Sequence, residues 1–401
     1  MSRFAAVPSL AVVCALGLTA CVVAGNISQN PSPSPDRAAR IRSVEEGLIP
    51  GDVPDGTPPG AASLRDRMSH YRVPGVSVAV IEGGRIDWAR GYGVEEAGGS
   101  QPVDTATLFQ AASISKVVTT IATLRLVDAG RLSLDGDVNA NLTRWRVPEN
   151  SHTQEQKVTL RQILTHTGGL TVSGFAGYER GQPVPTLLQV LTGSPPANSP
   201  AVQVDAIPGS TQRYSGGGFT VLQLLVSEAT GLPFEAALDE LVLRPADMIH
   251  STFEQPLPPS LEAQAAAGHS EHGSPVEGGW RIHPEKAAAG LWSTPSDLAR
   301  LVIAIHRAAA DQEGGLLSGR MAKEMVSPQF GPSGLGFVVL GDGEHRIFRH
   351  SGSNVGFRAR MVAYVQGGRG AVVMTNGDAG FELIEEILAS IARTYDWPTA
   401  D

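Results

Sequence analysis

A chain of 401 residues, 42% hydrophobic and 18% charged, is long enough to bury one large core or two moderate ones and too apolar for a disordered protein. Its formal net charge of -9 argues against a nucleic-acid-binding surface. The two cysteines, Cys14 and Cys21, both lie at the amino end, so the rest of the chain forms no disulfide and draws its stability from its core.

At the amino terminus Arg3 precedes an apolar run from Ala11 to Leu18 and then Leu18-Thr19-Ala20-Cys21. A basic start, a short apolar stretch and small residues before a cleavage point predict a secretory signal over residues 1–20, too short for a stable membrane span. The Leu-Thr-Ala-Cys ending resembles a bacterial lipobox, which implies that Cys21 becomes the lipidated first residue of an exported, bilayer-anchored protein. Val22 after it, where an aspartate would favour the inner membrane, points to the periplasmic face of the outer membrane. Residues 21–41 include Asn26-Ile-Ser-Gln-Asn-Pro-Ser-Pro-Ser-Pro35, a Pro/Ser-rich stretch expected to be a flexible, extended tether. At about 3.1 Å per residue it reaches up to roughly 60 Å.

Ala61 to Tyr71 reads as an amphipathic helix. Gly75 to Ile81 and the run after Arg85 read as two strands joined at Gly83-Gly84, a hairpin signal. The stretch Phe109 to Gly130 carries apolar Val117, Ile121, Leu124 and Val127 at helical spacing. Ser113 and Lys116, three apart, share a face at its amino end. A serine hydroxyl is a weak nucleophile that needs an adjacent base, and a desolvated lysine can serve as one; a helix amino end offers free N–H groups to developing negative charge. Against this stands an N-capping serine followed by a surface lysine, since a pair of this length also arises by chance.

Farther on, a helix is expected over Phe219 to Thr230, strands over Leu335–Leu340, His345–His350, Val355–Val365 and Gly370–Asn376, and a closing helix from about Phe381 to Tyr395. Strands at both ends predict one antiparallel sheet closed by the two ends of the chain and flanked by helices, an α/β (α+β) fold with a helical domain inserted between its halves. The α/β part spans about 42–105 and 286–401 and the helical part about 106–285, making residues 42–401 one domain.

Two further stretches join Ser113-Ile-Ser-Lys116: Gln212-Arg-Tyr214-Ser215-Gly216-Gly-Gly218, a tyrosine in a turn before a helix, and Arg349-His350-Ser351-Gly352-Ser353-Asn354 at a strand edge. With these in order, and with the flanking segments Thr165–Leu170, Pro284–Leu298 and Gly356-Phe357, most of residues 60–395 resembles the serine β-lactamase and penicillin-binding-protein superfamily. The resemblance is to its class C β-lactamase-like branch, which includes esterases and D-peptidases. It implies a β-lactamase/transpeptidase-like fold, with Ser113 as the acylated nucleophile and Lys116 as its proton partner. Tyr214 matches the tyrosine of the Tyr-x-Asn motif and would shuttle a proton to the leaving group. His350-Ser351-Gly352 matches Lys-Thr-Gly in its His-x-Gly form, and the backbone N–H groups of Ser113 and Ser353 would make the oxyanion hole. Which of Lys116 and Tyr214 is the base stays open.

Two departures bear on substrate. Gly216 stands where the second motif carries Asn, so an amide that would grip a substrate carbonyl is missing, and His350 replaces a lysine with a weaker, pH-dependent positive charge. Both weigh against efficient β-lactam hydrolysis. The segment Thr171 to Ala206, with Phe175 and Tyr178, would line the cleft beside Gly352 and set substrate size. His166 reads as a structural loop histidine. His269 and His272 lack a third ligand nearby, so neither a metal nor a cofactor is expected. No Gly-x-Ser-x-Gly elbow is present. The resulting expectation is a secreted serine hydrolase forming an acyl-enzyme on a small ester or D-amino-acid peptide. A class C-type β-lactamase and a non-catalytic lipoprotein that binds cell-wall fragments are the alternatives.

Overall fold

The structure, a computed structural model, describes residues 1–2, 35–51 and 60–398. Residues 3–20 of the expected signal segment, Cys21 and the tether up to residue 34 therefore lie outside the described residues. Over its last seven positions, 35–41, the tether expectation is corrected. α1 (Pro35–Glu46) begins there, opened by a proline at a position where a helix needs no N–H, with Asp36 in its first turn. Its Ile41 and Val44 sit three apart and are buried, so the segment has an apolar stripe that its Pro/Ser-rich start conceals.

α2 (Leu64–Tyr71) starts at Ser63, whose hydroxyl accepts from Asp66 N. The hairpin follows as β1 (Gly75–Glu82) and β2 (Arg85–Gly93), turning through Gly83 and Gly84 at φ 59° and 71°. β3 (Phe109–Gln110) leads into a 3-10 turn at Ala112–Ile114 and then α3 (Ser115–Asp128). The middle of the chain holds α4 (Leu160–Leu164), α5 (Leu187–Thr192), α6 (Gly216–Thr230), α7 (Phe234–Leu238), α8 (Pro259–Glu262) and α9 (Lys286–Ala289). Then come β4 (Trp292–Ser293), α10 (Pro295–Ala309), α11 (Gly319–Met325), β5 (Val338–Leu340), β6 (Ile347–Asn354), β7 (Phe357–Tyr364), β8 (Gly370–Thr375) and α12 (Gly380–Thr394).

Six strands form one antiparallel sheet in the order β2-β1-β8-β7-β6-β5, so the first strand of the chain pairs with the last, Val78 opposite Val373. Period-2 alternation sorts its side chains to two faces. Val76, Val78, Val80 and Val373 face a core shared with α1, α2 and α12. Ala79, Ile81, Met361, Val372 and Met374 face a larger core that continues into α3, α6 and α10. On the first face Arg67 and Glu386 form a buried ion pair at 2.8 Å, with Tyr71 Oη also donating to the carboxylate. Removing one partner of such a pair typically costs about 3–5 kcal/mol, so it locks α2 to α12. Among the described residues no single helix is long and apolar enough to cross a membrane.

β5 pairs with β6 only as far as Arg349, so from His350 to Asn354 the outer edge of β6 lacks a strand partner. The 3-10 turn bearing Ser113 packs there instead. Gly352 is what allows the approach: a Cβ on it would lie 2.2 Å from Ala111 O.

Candidate active site

Ser113 is not in α3 but in the tight turn just before it, and Ala112 beside it has φ 49°, a left-handed conformation that an alanine adopts only when its surroundings impose it. Ser115 supplies part of the constraint. Its hydroxyl donates to Ala112 O at 2.5 Å and accepts from Leu291 N at 2.9 Å, while Ala111 N donates to Leu291 O. The strained turn is thus pinned to the segment that precedes β4.

Lys116 follows in the first turn of α3 and is 2% exposed. Its Nζ donates to Ser113 Oγ at 3.1 Å and to the Ala288 carbonyl at 2.6 Å. The rings of Tyr214 and Phe219 lie 5.0 and 5.8 Å from Nζ. The cation is thus held by a carbonyl dipole and two aromatic faces, and no carboxylate pairs with it among the described residues. The i, i+3 pair read from the sequence therefore meets as a hydrogen bond.

Tyr214 is 39% exposed and opens toward solvent above Lys116. Ser215 after it caps α6, its hydroxyl accepting from Gly218 N and donating to Thr171 O. A Cβ at Gly216 would be tight, meeting the Phe175 ring at 3.0 Å and Ser173 O at 3.1 Å. Phe175, half-buried, presents its ring to the place that a side chain at 216 would occupy.

His350 sits on β6 with its ring centroid 6.4 Å from that of Tyr214. Burial, and then the charge of Lys116, push its pKa down to about 4. The expected pH-dependent positive charge is therefore absent at neutral pH, a correction that follows from an imidazole being shut in beside an ammonium. Nδ1 lies 2.8 Å from Ser351 O, and a carbonyl only accepts, so Nδ1 carries the proton and Nε2 the lone pair. Ser353 is exposed on the strand-free edge of β6, opposite the Ser113 turn, and buried Asn354 donates to Gln110 Oε1 and Ala289 O.

Tyr178 does not reach the cleft surface. It is 6% exposed, its hydroxyl accepts from Asn198 N at 2.9 Å, and its backbone pairs with Ile282. It braces the loop that carries Phe175. His269, whose ring bonds Ala97 N and Asn376 O, ties together the loops after β2 and β8. Among the described residues no three His, Cys, Asp or Glu side chains converge as metal ligands.

The sequence pattern does not reveal the backbone template running from Arg281 to Leu291. Its carbonyls receive Gln110 (residue 281), Gln223 (284), Lys116 (288), Asn354 (289), Gln255 (290) and Ala111 (291). Within it His283 and Glu285 are fully buried, and among the described residues neither side chain has a hydrogen-bond partner from another residue. Burial pushes the Glu285 carboxyl up to about 7 and the His283 imidazole down to about 3. The Pro284–Leu298 segment is visible in the sequence, but nothing in it marks those carbonyls as the seat of the lysine.

The family model described as Beta-lactamase matches residues 61–393. Among curated proteins, Protein flp of Staphylococcus aureus (strain MW2) is 23% identical over 343 residues, 82% of this chain and 65% of that protein. Esterase EstB of Burkholderia gladioli is 32% identical over 195 residues, 46% of this chain and 47% of the esterase. The chain thus spans 65% of one of these curated relatives and about half of the other. Of solved structures, the octameric penicillin-binding protein homologue from Pyrococcus abyssi superposes with a TM-score of 0.67 at 22% identity, covering 83% of this chain and 76% of that one. A class C beta-lactamase gives 0.66 at 21% identity, covering 89% and 97%. These likenesses establish the mixed fold of antiparallel sheet and helices.

Proposed function

Because this chain belongs to the beta-lactamase family, we propose that it is a serine hydrolase that forms an acyl-enzyme on Ser113 and acts on small esters in preference to β-lactams. The observation that carries this reading is the 3.1 Å contact between Lys116 Nζ and Ser113 Oγ, with the Tyr214 ring over the same ammonium. Ser113 Oγ attacks the carbonyl carbon while its proton passes to the Lys116–Tyr214 pair in the form that is one proton short, with either the amine or the phenol deprotonated. The tetrahedral oxyanion sits between the backbone N–H groups of Ser113 and Ser353, each such donor being worth about 2.7–4 kcal/mol of transition-state stabilisation. The same pair returns the proton to the leaving oxygen as its bond to carbon breaks. Water then attacks the ester carbonyl, its proton again taken up by the pair, and the acid is released with Ser113 restored.

The ester preference draws on two features. His350 carries no charge at neutral pH with which to hold a substrate carboxylate, and Phe175 presents an aromatic wall at Gly216 where a polar side chain could otherwise stand. The 32% identity to a protein named as an esterase supports the same choice. D-amino-acid peptides are the second substrate class. Export and lipidation at Cys21, with a place on the periplasmic face of the outer membrane, complete the proposal and rest on the sequence pattern alone.

The test is intact-protein mass after mixing residues 35–401 with an activated ester and, separately, with a penicillin, alongside Ser113→Ala. The proposal expects an acyl adduct from the ester on the wild type only, clearing with time. Absence of any adduct or turnover would leave the binding lipoprotein, and rapid clearance of the penicillin adduct the β-lactamase.

A further inference from the structure

We infer that His166 is the positioning residue of Tyr214, a clamp that holds the phenol over Lys116. In sequence this residue is a generic loop histidine. In the structure it makes three separate contacts to one tripeptide. Its carbonyl accepts from Arg213 N at 2.8 Å, its Nδ1 accepts from Ser215 N at 3.2 Å, and its ring lies against the Tyr214 ring with centroids 4.3 Å apart. The residues before and after Tyr214 are therefore fixed by the same residue that supports the ring between them.

The neighbours of Tyr214 are also tied down, Gln212 Nε2 to Ser333 Oγ, Arg213 to Asp205 and to the Gly169 and Leu170 carbonyls, and the Ser215 hydroxyl to Thr171 O, but none of these contacts touches the Tyr214 ring. Gln212 to Tyr214 belongs to no helix or strand, and Tyr214 is among the exposed large side chains. The other rings and charges facing it are Lys116 and His350, both on the cleft side. His166 reaches its place through φ 59°, a left-handed backbone that His, Asn and Asp tolerate better than most residues. The turn around it is held by Thr167 N to Gln162 O at 2.7 Å, Gly209 N to Thr167 O at 2.7 Å, and paired Thr165 and Thr167 hydroxyls. Because Nδ1 accepts a backbone N–H, the ring is the Nε2–H tautomer, and a second proton would abolish the Ser215 bond. Burial, then the charge of Lys116, push the pKa of His166 down to about 3, which keeps Nδ1 an acceptor across the working pH range.

The inference rests on the proposal that Tyr214 passes a proton to the leaving oxygen. A misplaced phenol then harms poor leaving groups most, a signature that general loosening of the fold does not give. The experiment compares kcat/KM for a nitrophenyl and an alkyl ester of one acid, in wild type, His166→Ala, His166→Asn, Tyr214→Phe and the His166→Ala/Tyr214→Phe double variant, with melting temperatures measured in parallel. Expected is a drop for His166→Ala at least tenfold larger on the alkyl ester than on the nitrophenyl ester. His166→Asn, which offers Oδ1 as acceptor and tolerates the backbone, should recover most of it. The double variant should be no slower than Tyr214→Phe alone, because both changes remove one function. Equal losses on both esters, or additive losses in the double variant, overturn the clamp. If Tyr214→Phe itself shows no leaving-group dependence, the proton-transfer reading fails first and takes the clamp with it. Should alanine at 166 prevent folding, His166→Gln replaces it, with the same leaving-group comparison deciding.

Discussion

The ammonium of Lys116 is seated on the carbonyl of Ala288 at 2.6 Å, closer than its 3.1 Å to Ser113 Oγ. The carbonyl belongs to α9, whose position is fixed by Gln223 on both sides, Nε2 donating to Pro284 O and Oε1 accepting from Ala287 N. Three changes follow from this seat. Lys116→Ala should lower kcat by about 10²–10⁴-fold, the usual worth of a positioned proton-transfer group. Lys116→Arg should not rescue it, because a guanidinium keeps its charge and its planar fork fits neither partner. Gln223→Ala, remote from substrate, should lower kcat with little change in KM by loosening α9. Steady-state kinetics on a chromogenic ester decides each case.

The Phe175 ring and Gly216 occupy one space between them. Gly216→Ala should therefore cost about 1–3 kcal/mol, the usual range for overpacking. Phe175→Ala in the same chain should recover most of that cost, which urea unfolding would measure. Gly217→Ala should be worse, since its Cβ would fall 2.5 Å from Thr171 O, a backbone atom that no side-chain substitution removes. Phe175→Ala alone should shift the acyl-chain preference toward longer acids. Tyr178→Phe, which only breaks the bond to Asn198 N, should leave it unchanged.

What the sequence displays is periodic or short-range. Alternating strands, the Gly83-Gly84 hairpin and the three-residue spacing of Ser113 and Lys116 are local patterns, and β1, β2 and β5 to β8 with α3, α6 and α12 appear close to where those patterns lie, whereas the two-residue strands β3 and β4 carry no such pattern. The features it hides are contacts between distant segments. The left-handed Ala112 depends on Ser115 reaching Leu291, 176 positions away. The charge state of His350 depends on burial, which a strand-edge pattern does not report. Tyr178 reads like any cleft aromatic until its hydroxyl is found on Asn198. Pro35 reads as the last of a proline series, yet it opens a helix because Ile41 and Val44 find a core on α12.

Glu285 gives a pH effect of definite sign. Its folded pKa is raised to about 7 from an ordinary 4.5 by burial, so the folded state holds a proton that the unfolded chain has released between those values. The stability this represents is complete below pH 4.5 and is lost as pH rises through 7. Glu285→Gln, neutral at every pH, should thus match the wild type near pH 4.5 and exceed it by on the order of 3 kcal/mol at pH 8, since each tenfold change in proton affinity is worth about 1.4 kcal/mol. Urea midpoints at pH 5, 6, 7 and 8 would show the gap opening with pH, and a gap that stays constant would refute the buried-acid reading.

The buried imidazoles act in the opposite sense. His283 and His350 are held neutral down to about pH 3 and about pH 4, while in the unfolded chain they gain protons near 6.5. Below 6.5 the unfolded state therefore binds more protons than the folded one, and stability falls as pH falls, by about 1.4 kcal/mol per pH unit for each imidazole. His166 adds a contribution of the same sign. Between pH 4.5 and 6.5 the proton on Glu285 opposes one of these, so the wild-type slope is shallower than the histidines alone would produce. Glu285→Gln should consequently steepen acid destabilisation across that window, and His350→Gln should flatten it by one proton. For His350→Gln the difference from wild type should stop growing below about pH 4, where the folded state too takes up the proton. Urea midpoints at half-unit intervals from pH 4 to 7 would measure all three slopes, and a His350→Gln slope equal to that of the wild type would show that this imidazole is already charged in the fold.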